Sequence, residues 1–341
     1  MNKLVSLLLV ILILAMSIFS FASCGNGGVD GKDGVDGKDG ITPTIEISDD
    51  GYWVINGEKT DVKASSDEKV NENPQGLYFY KQDDGNYFVA VGLAKYLSEI
   101  VIPETYMGCD VVGIADEGFY GCKNLKKITI PDTVTSIGES AFYSCVNLES
   151  IDIPGSVTSI AKRAFYNCDS LTSVEIPYGV TSLGSYLFYH CEKLTSVEIP
   201  YGVTILEEHM FYYCEKLTNV VIPDSVTSIG DSIFEGCKGL VNIDIPDSVT
   251  FIDRFAFRDC TGLVSIVIPN NLTEIKYDTF NGCSSLETIV LPSSVTTIDE
   301  WAFSGCPITT IKYRGTQEQW DAISEVFEWK NYTLICNYTG K

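Results

Sequence analysis

Residues 145–167 read CVNLESIDIPGSVTSIAKRAFYN, and with small changes the same 23 letters recur from Cys122 to Cys306. Cys122, Cys145, Cys168, Cys191, Cys214, Cys237, Cys260, Cys283 and Cys306 stand 23 apart, and a phenylalanine precedes each by three places, from Phe119 to Phe303. A fixed period in this range means one elongated stack of similar units, not the two domains that 341 residues would otherwise suggest. Within a unit, Ile128 and Ile130 alternate with Lys127 and Thr129, the period of a strand with one face buried. A proline then closes it, at Pro131, Pro154, Pro177, Pro200, Pro223, Pro246, Pro269 and Pro292, because proline has no N–H to give to a ladder. The remaining apolar positions, such as Val134, Ile137, Phe142, Cys145 and Leu148, fall three to five apart. That spacing suits short turns, a 3₁₀ segment or a very short second strand. One unit alone buries too little apolar surface to offset the entropy of ordering it, so units stack and the ends need caps.

The flanks divide accordingly. The expected organisation is a signal peptide at 1–23, a Gly-rich spacer at 24–40, a small β-hairpin module at 41–64, a linker at 65–76, an N-terminal cap with an irregular first repeat at 77–121, repeats at 122–313 and a C-terminal cap at 314–341. Lys3 and the apolar run 4–21 precede Phe21-Ala22-Ser23-Cys24, which resembles a bacterial lipoprotein signal with Phe21 in place of the usual Leu. The resemblance implies that Cys24 is lipidated, and two or more acyl chains give stable anchoring; an uncleaved membrane anchor is the alternative. Glycine recurs every third residue from Gly28 to Gly40 without proline, so a hydrated spacer is expected in preference to a collagen helix. Ile45 and Ile47, Asp49-Asp50-Gly51, residues 52–55 and Asn56-Gly57 carry hairpin signals, and the segment is similar to short modules near the N-termini of bacterial surface proteins. Residues 77–81 and 87–91 flank Asp83-Asp84-Gly85-Asn86, a further hairpin suited to cover the open edge of the first repeat, which itself carries five extra residues. At the other end, Thr316-Gln317-Glu318-Gln319 reads as a capping box opening a helix through Trp320 and Ile323, and residues 334–338 as a closing strand.

The motifs L-x-x-I-x-I-P at 148–154, S-V-T-S-I-G at 225–230 and A-F-x-x-C at 141–145 make the repeat resemble the BspA-like, or Treponema pallidum-type, leucine-rich repeats over about residues 77–340. The resemblance implies a β-rich α/β solenoid: a curved leucine-rich-repeat horseshoe with a parallel concave sheet and short turns or 3₁₀ segments on the convex side. It also implies a surface protein that adheres to host or neighbouring-cell macromolecules.

With 46 acidic against 23 basic residues the chain carries −23, which repels phosphate backbones and excludes nucleic acid as a partner. The cysteine column lacks paired C-x-x-C spacing and reads as core, although coils one strand spacing apart would also permit disulfides. No catalytic constellation, metal motif or phosphate-binding loop is present; His190 and His209 occupy different columns and read as solvent-facing variation. No enzyme activity, cofactor, metal or small-molecule substrate is expected. Candidate binding residues are therefore the outward positions. One column reads Thr129, Asp152, Glu175, Glu198, Val221, Asp244, Val267, Val290. Its carboxylates form either a solvated acidic face or the counterpart of a cationic partner, and its valines, with Val241 and Val264, form either a binding patch or simply good strand residues. The other column is Tyr120, Tyr143, Tyr166, Tyr189 and Tyr212, with Tyr178 and Tyr201 as a second pair; tyrosines suit protein or glycan contact, or stack on one another. The expected function is a lipid-anchored protein on the extracellular face of the envelope that binds a protein or glycan through its solenoid surface; the alternative is a display spacer or surface-layer component without a specific ligand.

Overall fold

The structure, a computed structural model, describes residues 76–324 and 332–340 together with the strands Ile45–Ile47, Tyr52–Ile55 and Glu58–Lys63. The segments expected to be a signal peptide and a Gly-rich spacer, Cys24 and nearly all of the expected linker lie outside the described residues. The chain forms two units, residues 1–78 with 91–97, and residues 79–90 with 98–341.

In the first unit the three strands make an antiparallel meander, Ile45 opposite Ile55 and Val54 opposite Lys59, with a register shift between Tyr52 and Val54. The third strand adds to the hairpin anticipated from sequence. A 3₁₀ segment, Gly92–Tyr96, also belongs to this unit, and its Ala94 N–H donates to Gly76 O at 3.1 Å.

The second unit is a parallel β-solenoid with two strands per coil. The first, of three residues in most coils, ends two places before the proline, as in Ser150–Asp152 and Ser173–Glu175. The second has only two, as in Ser136–Ile137 and Ser159–Ile160. Strands pair in parallel with their counterparts 23 residues on, Ile151 with Val174 and Ile160 with Leu183, although the second-strand ladder breaks between Ser182–Leu183 and Ile205–Leu206 and between Phe251–Ile252 and Glu274–Ile275. The inward column Ile128, Ile151, Val174, Val197 and Val220 is buried, as are the phenylalanines that recur every 23 residues from Phe119 to Phe303. The rings from Phe119 to Phe303 stack at 5.1–5.6 Å between centroids, a spine through the unit.

The third side of each coil is a wall of turns; 3₁₀ structure is not assigned in it. Backbone N–H groups alternate along this wall. Phe142 donates to Ala164 O in the next coil, while Tyr143 and Cys145 donate three residues back within their own coil. In the coils of Phe119 to Phe280 two residues bracket the phenylalanine in the left-handed region, for example Ser140 (φ 55°) and Ser144 (φ 56°), or Tyr186 (φ 58°) and His190 (φ 56°). This conformation turns each coil's alternate amides toward the next coil, which satisfies them without a strand.

The first-strand sheet is interrupted. Six strands run from Glu99–Val101 to Asn219–Val221 and four from Ser265–Val267 to Thr333–Ile335, but residues 241–246 form no strand between them. Asn242 and Asp244 occupy both outward positions there, and both residue types are depleted in strands.

At the N-terminal end the hairpin Tyr78–Lys81 and Tyr87–Ala90 extends the second-strand sheet, Val89 pairing in parallel with Ile114. The extra residues of the first repeat make a further hairpin, Thr105–Tyr106 against Cys109–Ile114. Its two loop residues, Met107 (φ 51°) and Gly108 (φ 80°), both adopt the left-handed conformation that a two-residue connection requires. Phe79, Tyr87 and Tyr106 pack together at this end, Phe79 and Tyr106 stacked at 4.0 Å. At the other end, Thr316 N–H donates to Gln319 Oε1 (2.9 Å) and Gln319 N–H to Thr316 Oγ1 (3.2 Å), a reciprocal capping box on the helix Gln317–Ser324. Trp320 of that helix is buried. The closing strand is Thr333–Ile335, shorter and starting one residue earlier than the sequence pattern implied. Among the described residues no helix is long and apolar enough to cross a membrane.

Candidate functional site

The first-strand sheet presents its outward residues as two columns. Thr129, Asp152 and Glu175 are in register, as are Ser173 with Ser196, and Asn219 with Ser196, and Val221 follows Glu198. Asp152, Glu175, Glu198 and Asp244 are exposed. None of these carboxylates forms an ion pair with a described residue. The contrast with the rest of the coil is sharp: Glu139 pairs with Lys162 (3.1 Å), Glu215 with Lys238 (2.7 Å), Asp231 with Arg254 (2.7 Å) and Asp253 with Lys276 (3.2 Å), each partner one coil further on. Several carboxylates off the sheet face are thus met by a cation one coil on, and none of these four on it is.

The valines divide. Val221, Val241, Val264 and Val267 are exposed to between 38% and 53%, but Val290 is 4% exposed and is removed from the candidate patch. Val290 lies in register between Val267 and Lys312, and Lys312 in turn sits 5.1 Å from the ring of Tyr338. Long lysine stems cover apolar surface in this way.

A hollow of about 310 Å³ opens on the sheet between coils, lined by Glu175, Tyr178, Ser196, Glu198, Asn219 and Val221 among others. Tyr178 and Tyr201, the residues after Pro177 and Pro200, rise beside the acidic column with 78% and 71% of their surface exposed.

The longer tyrosine column stands on the turn wall, so the structure does not bring it together with the acidic column. Tyr120, Tyr143, Tyr166, Tyr189 and Tyr212 stack face to face at 4.4–4.8 Å. Their faces are used up on one another, which leaves edges and hydroxyls for any partner. Burial raises the pKa of Tyr143, Tyr166, Tyr189 and Tyr212, with the neighbouring phenol or, at Tyr212, Glu235 adding to it. Glu235 occupies the next place in the column and ends it; its own carboxyl is pushed up by burial.

Both histidines belong to this wall, contrary to the solvent-facing reading. His209 stacks on Tyr186 at 4.6 Å, with Arg163 5.3 Å from the Tyr186 ring, and His190 stacks on Tyr213 at 5.2 Å. His209 Nδ1 is buried with no hydrogen-bond partner among the described residues, and burial lowers its pKa. Sequence alone could have found this: Tyr186 and His209, like His190 and Tyr213, are 23 apart.

The described cysteines are all free thiols. From Cys145 to Cys306 each donates its S–H to the carbonyl oxygen of a phenylalanine 26 residues earlier, at 3.0–3.2 Å. Burial pushes the thiols of Cys168, Cys191, Cys214, Cys237 and Cys260 upward, away from the reactive thiolate. Among the described residues, no group of three His, Cys, Asp or Glu is placed to hold a metal ion.

A family model described as BspA type leucine rich repeat region matches residues 94–218 and 204–331, more than half of the chain. The crystal structure of a T. pallidum leucine rich repeat protein is 30% identical, with a TM-score of 0.53, covering 55% of this chain and 88% of that one. A leucine rich cell surface protein from Faecalibacterium prausnitzii A2-165 is 28% identical, covering 73% of this chain and 96% of that one, with a TM-score of 0.42. A leucine-rich repeat protein from Bacteroides ovatus ATCC 8483 is 25% identical over 76% and 98% of the two chains, with a TM-score of 0.32. A search of curated proteins returned no match.

Proposed function

The chain belongs to the BspA-type leucine rich repeat family, and from that premise we propose that it is a lipid-anchored protein of the bacterial cell surface that binds a protein or glycan of a host or neighbouring cell through its first-strand sheet. The observation that carries this reading is the inequality between the faces. Off the sheet Glu139, Glu215, Asp231 and Asp253 each meet a cation one coil on and the long tyrosine column is stacked, whereas on the sheet Asp152, Glu175 and Glu198 lack ion pairs and Tyr178 and Tyr201 stand clear. Interaction sites are typically exposed groups held ready on a rigid scaffold, and a stack of hydrogen-bonded coils is such a scaffold. Anchoring at Cys24 would place that scaffold outside the membrane, beyond the spacer at 24–40.

The test is a binding screen of the immobilised chain against extracellular matrix proteins, mucins and glycans. Saturable binding is expected, weakened by Glu175→Lys with Glu198→Lys and spared by Tyr166→Ala with Tyr189→Ala. A folded chain that captures nothing in the screen is a display or surface-layer component instead. Mass spectrometry of the mature N-terminus tests the anchor: a diacyl or triacyl adduct on Cys24 is expected, and an unmodified Met1 start removes it.

A further inference from the structure

Two features of the binding face narrow its ligand. The first is aromatic. Tyr178 and Tyr201 make no ring contact with any described aromatic residue and are largely exposed, unlike the phenols of the stacked column. The prolines before them fix the backbone from which they project. An open aromatic face carries negative electrostatic potential and attracts a lysine ammonium or an arginine guanidinium.

The second is charge. Asp152, Glu175 and Glu198 follow one another coil by coil, and the neighbouring outward column in those coils is Ser150, Ser173 and Ser196, which supplies no cation. Covering this column with a neutral ligand would strip water from unpaired carboxylates and leave them uncompensated, a cost that a cationic ligand turns into a gain. The hollow of about 310 Å³ between Glu175, Glu198 and Tyr178 gives a side chain somewhere to enter. We infer that this face takes an extended, lysine- or arginine-bearing peptide segment of a partner protein lying across the strands, an inference that rests on the binding-face reading above.

Geometry sets the motif. Strands lie about 4.8 Å apart, so Asp152 to Glu198, two coils on, spans roughly 10 Å, the length of about three extended residues. Two basic residues separated by one or two others therefore meet the ends of the acidic run. Further along the same column the face becomes apolar at Val221 and, past Asp244, at Val267, which suits an apolar residue following the basic pair.

The probe is a twelve-residue peptide alternating lysine and threonine, titrated against the full chain at ~0.15 M salt, where long-range attraction is screened. Expected are saturable binding, about a tenfold loss with Glu175→Gln and Glu198→Gln together, and a several-fold loss with Tyr178→Ala and Tyr201→Ala together. Glu207→Gln with Glu208→Gln removes the same charge from elsewhere and is expected to leave binding within about twofold. Circular dichroism of each variant checks folding. Equal losses in the control and the sheet variants would mean only general attraction to an acidic protein and would overturn the inference. Absence of peptide binding, with mucin or neutral-glycan binding lost in the tyrosine variant, would overturn the cationic class but keep the binding face. If no screened probe responds to any sheet-face variant, the face itself is wrong.

Discussion

Each column cysteine from Cys145 to Cys283 has two tasks, filling space in the core and donating its thiol hydrogen to a phenylalanine carbonyl of the preceding coil. That carbonyl also accepts the backbone N–H three residues on, as Phe188 O does from Cys191, so the thiol supplies its second, inter-coil bond. Alanine at Cys214 removes both volume and donor; Cys214→Ala is expected to cost about 1–2 kcal/mol, read as a shift of the urea midpoint at unchanged slope. No shift would make the thiol bond energetically idle. His209 predicts a pH dependence. Burial holds its folded pKa below the unfolded value of about 6.5, so as pH falls the unfolded chain takes up the proton first and stability drops below that pH until the lowered folded pKa is passed. The carboxyls of buried Glu235 and half-buried Asp169, whose pKa values are raised, act in the opposite sense, so the test is a difference. Phenylalanine already occupies the equivalent place at Phe255, also in the left-handed conformation. His209→Phe should therefore lose less stability than the parent chain between pH 7.5 and pH 5, and an equal loss in both would remove His209 as the titrating group.

At the scale of elements, what distinguishes this solenoid is that its three sides are held differently. The first strands form a sheet with a gap, the second strands are only two residues long, and the turn wall runs on through the gap, with Phe234 N–H donating to Ala256 O and Gly236 N–H to Arg258 O. Amides of Asn242, Ile243, Asp244 and Ile245 donate no backbone hydrogen bond to described residues, whereas their counterparts in neighbouring coils lie in paired strands. Hydrogen exchange read by mass spectrometry should find the peptide covering 242–245 exchanging well before those covering 219–222 and 265–268. Uniform protection across all three would mean that the sheet is continuous in solution. Most of this level was legible in the sequence: the strand, its proline stop, the capping box from Thr316 to Gln319 and the hairpin around Gly85 follow from local chemistry. The gap was not, because Ser150 and Asp152 form a strand with outward residues little better suited to one than Asn242 and Asp244. Nor was the turn wall, since bulky residues such as Tyr186 and Phe255 carry no local signal for a positive φ.

For the molecule as a whole, charge is organised by the same period as the core. Ion pairs on the turn wall and corners link a residue to its counterpart one coil on, while the sheet face accumulates unpaired carboxylates in a chain of net charge −23. Exposed pairs of this kind contribute at most about 1 kcal/mol each. Like charges one coil apart lie within the ~8 Å screening length of physiological salt. Net repulsion should dominate at low salt, so the thermal midpoint is expected to rise between about 10 mM and 150 mM sodium chloride; a fall would show that the ion pairs outweigh it. The sequence by itself determined the repeat, most strand positions and the buried columns, because a period of 23 with alternating apolar residues can bury its hydrophobic surface only by stacking. It also determined which columns face outward. Only the tertiary structure decided which of those columns are free to bind. Whether a tyrosine stacks on its neighbour, a carboxylate meets a lysine one coil on, or Val290 is covered while Val267 is not depends on distances between coils, which a linear period does not contain. That is why Tyr178 and Tyr201, the minor pair in the sequence, now stand beside Glu175 and Glu198 as the residues on which the function is proposed to rest.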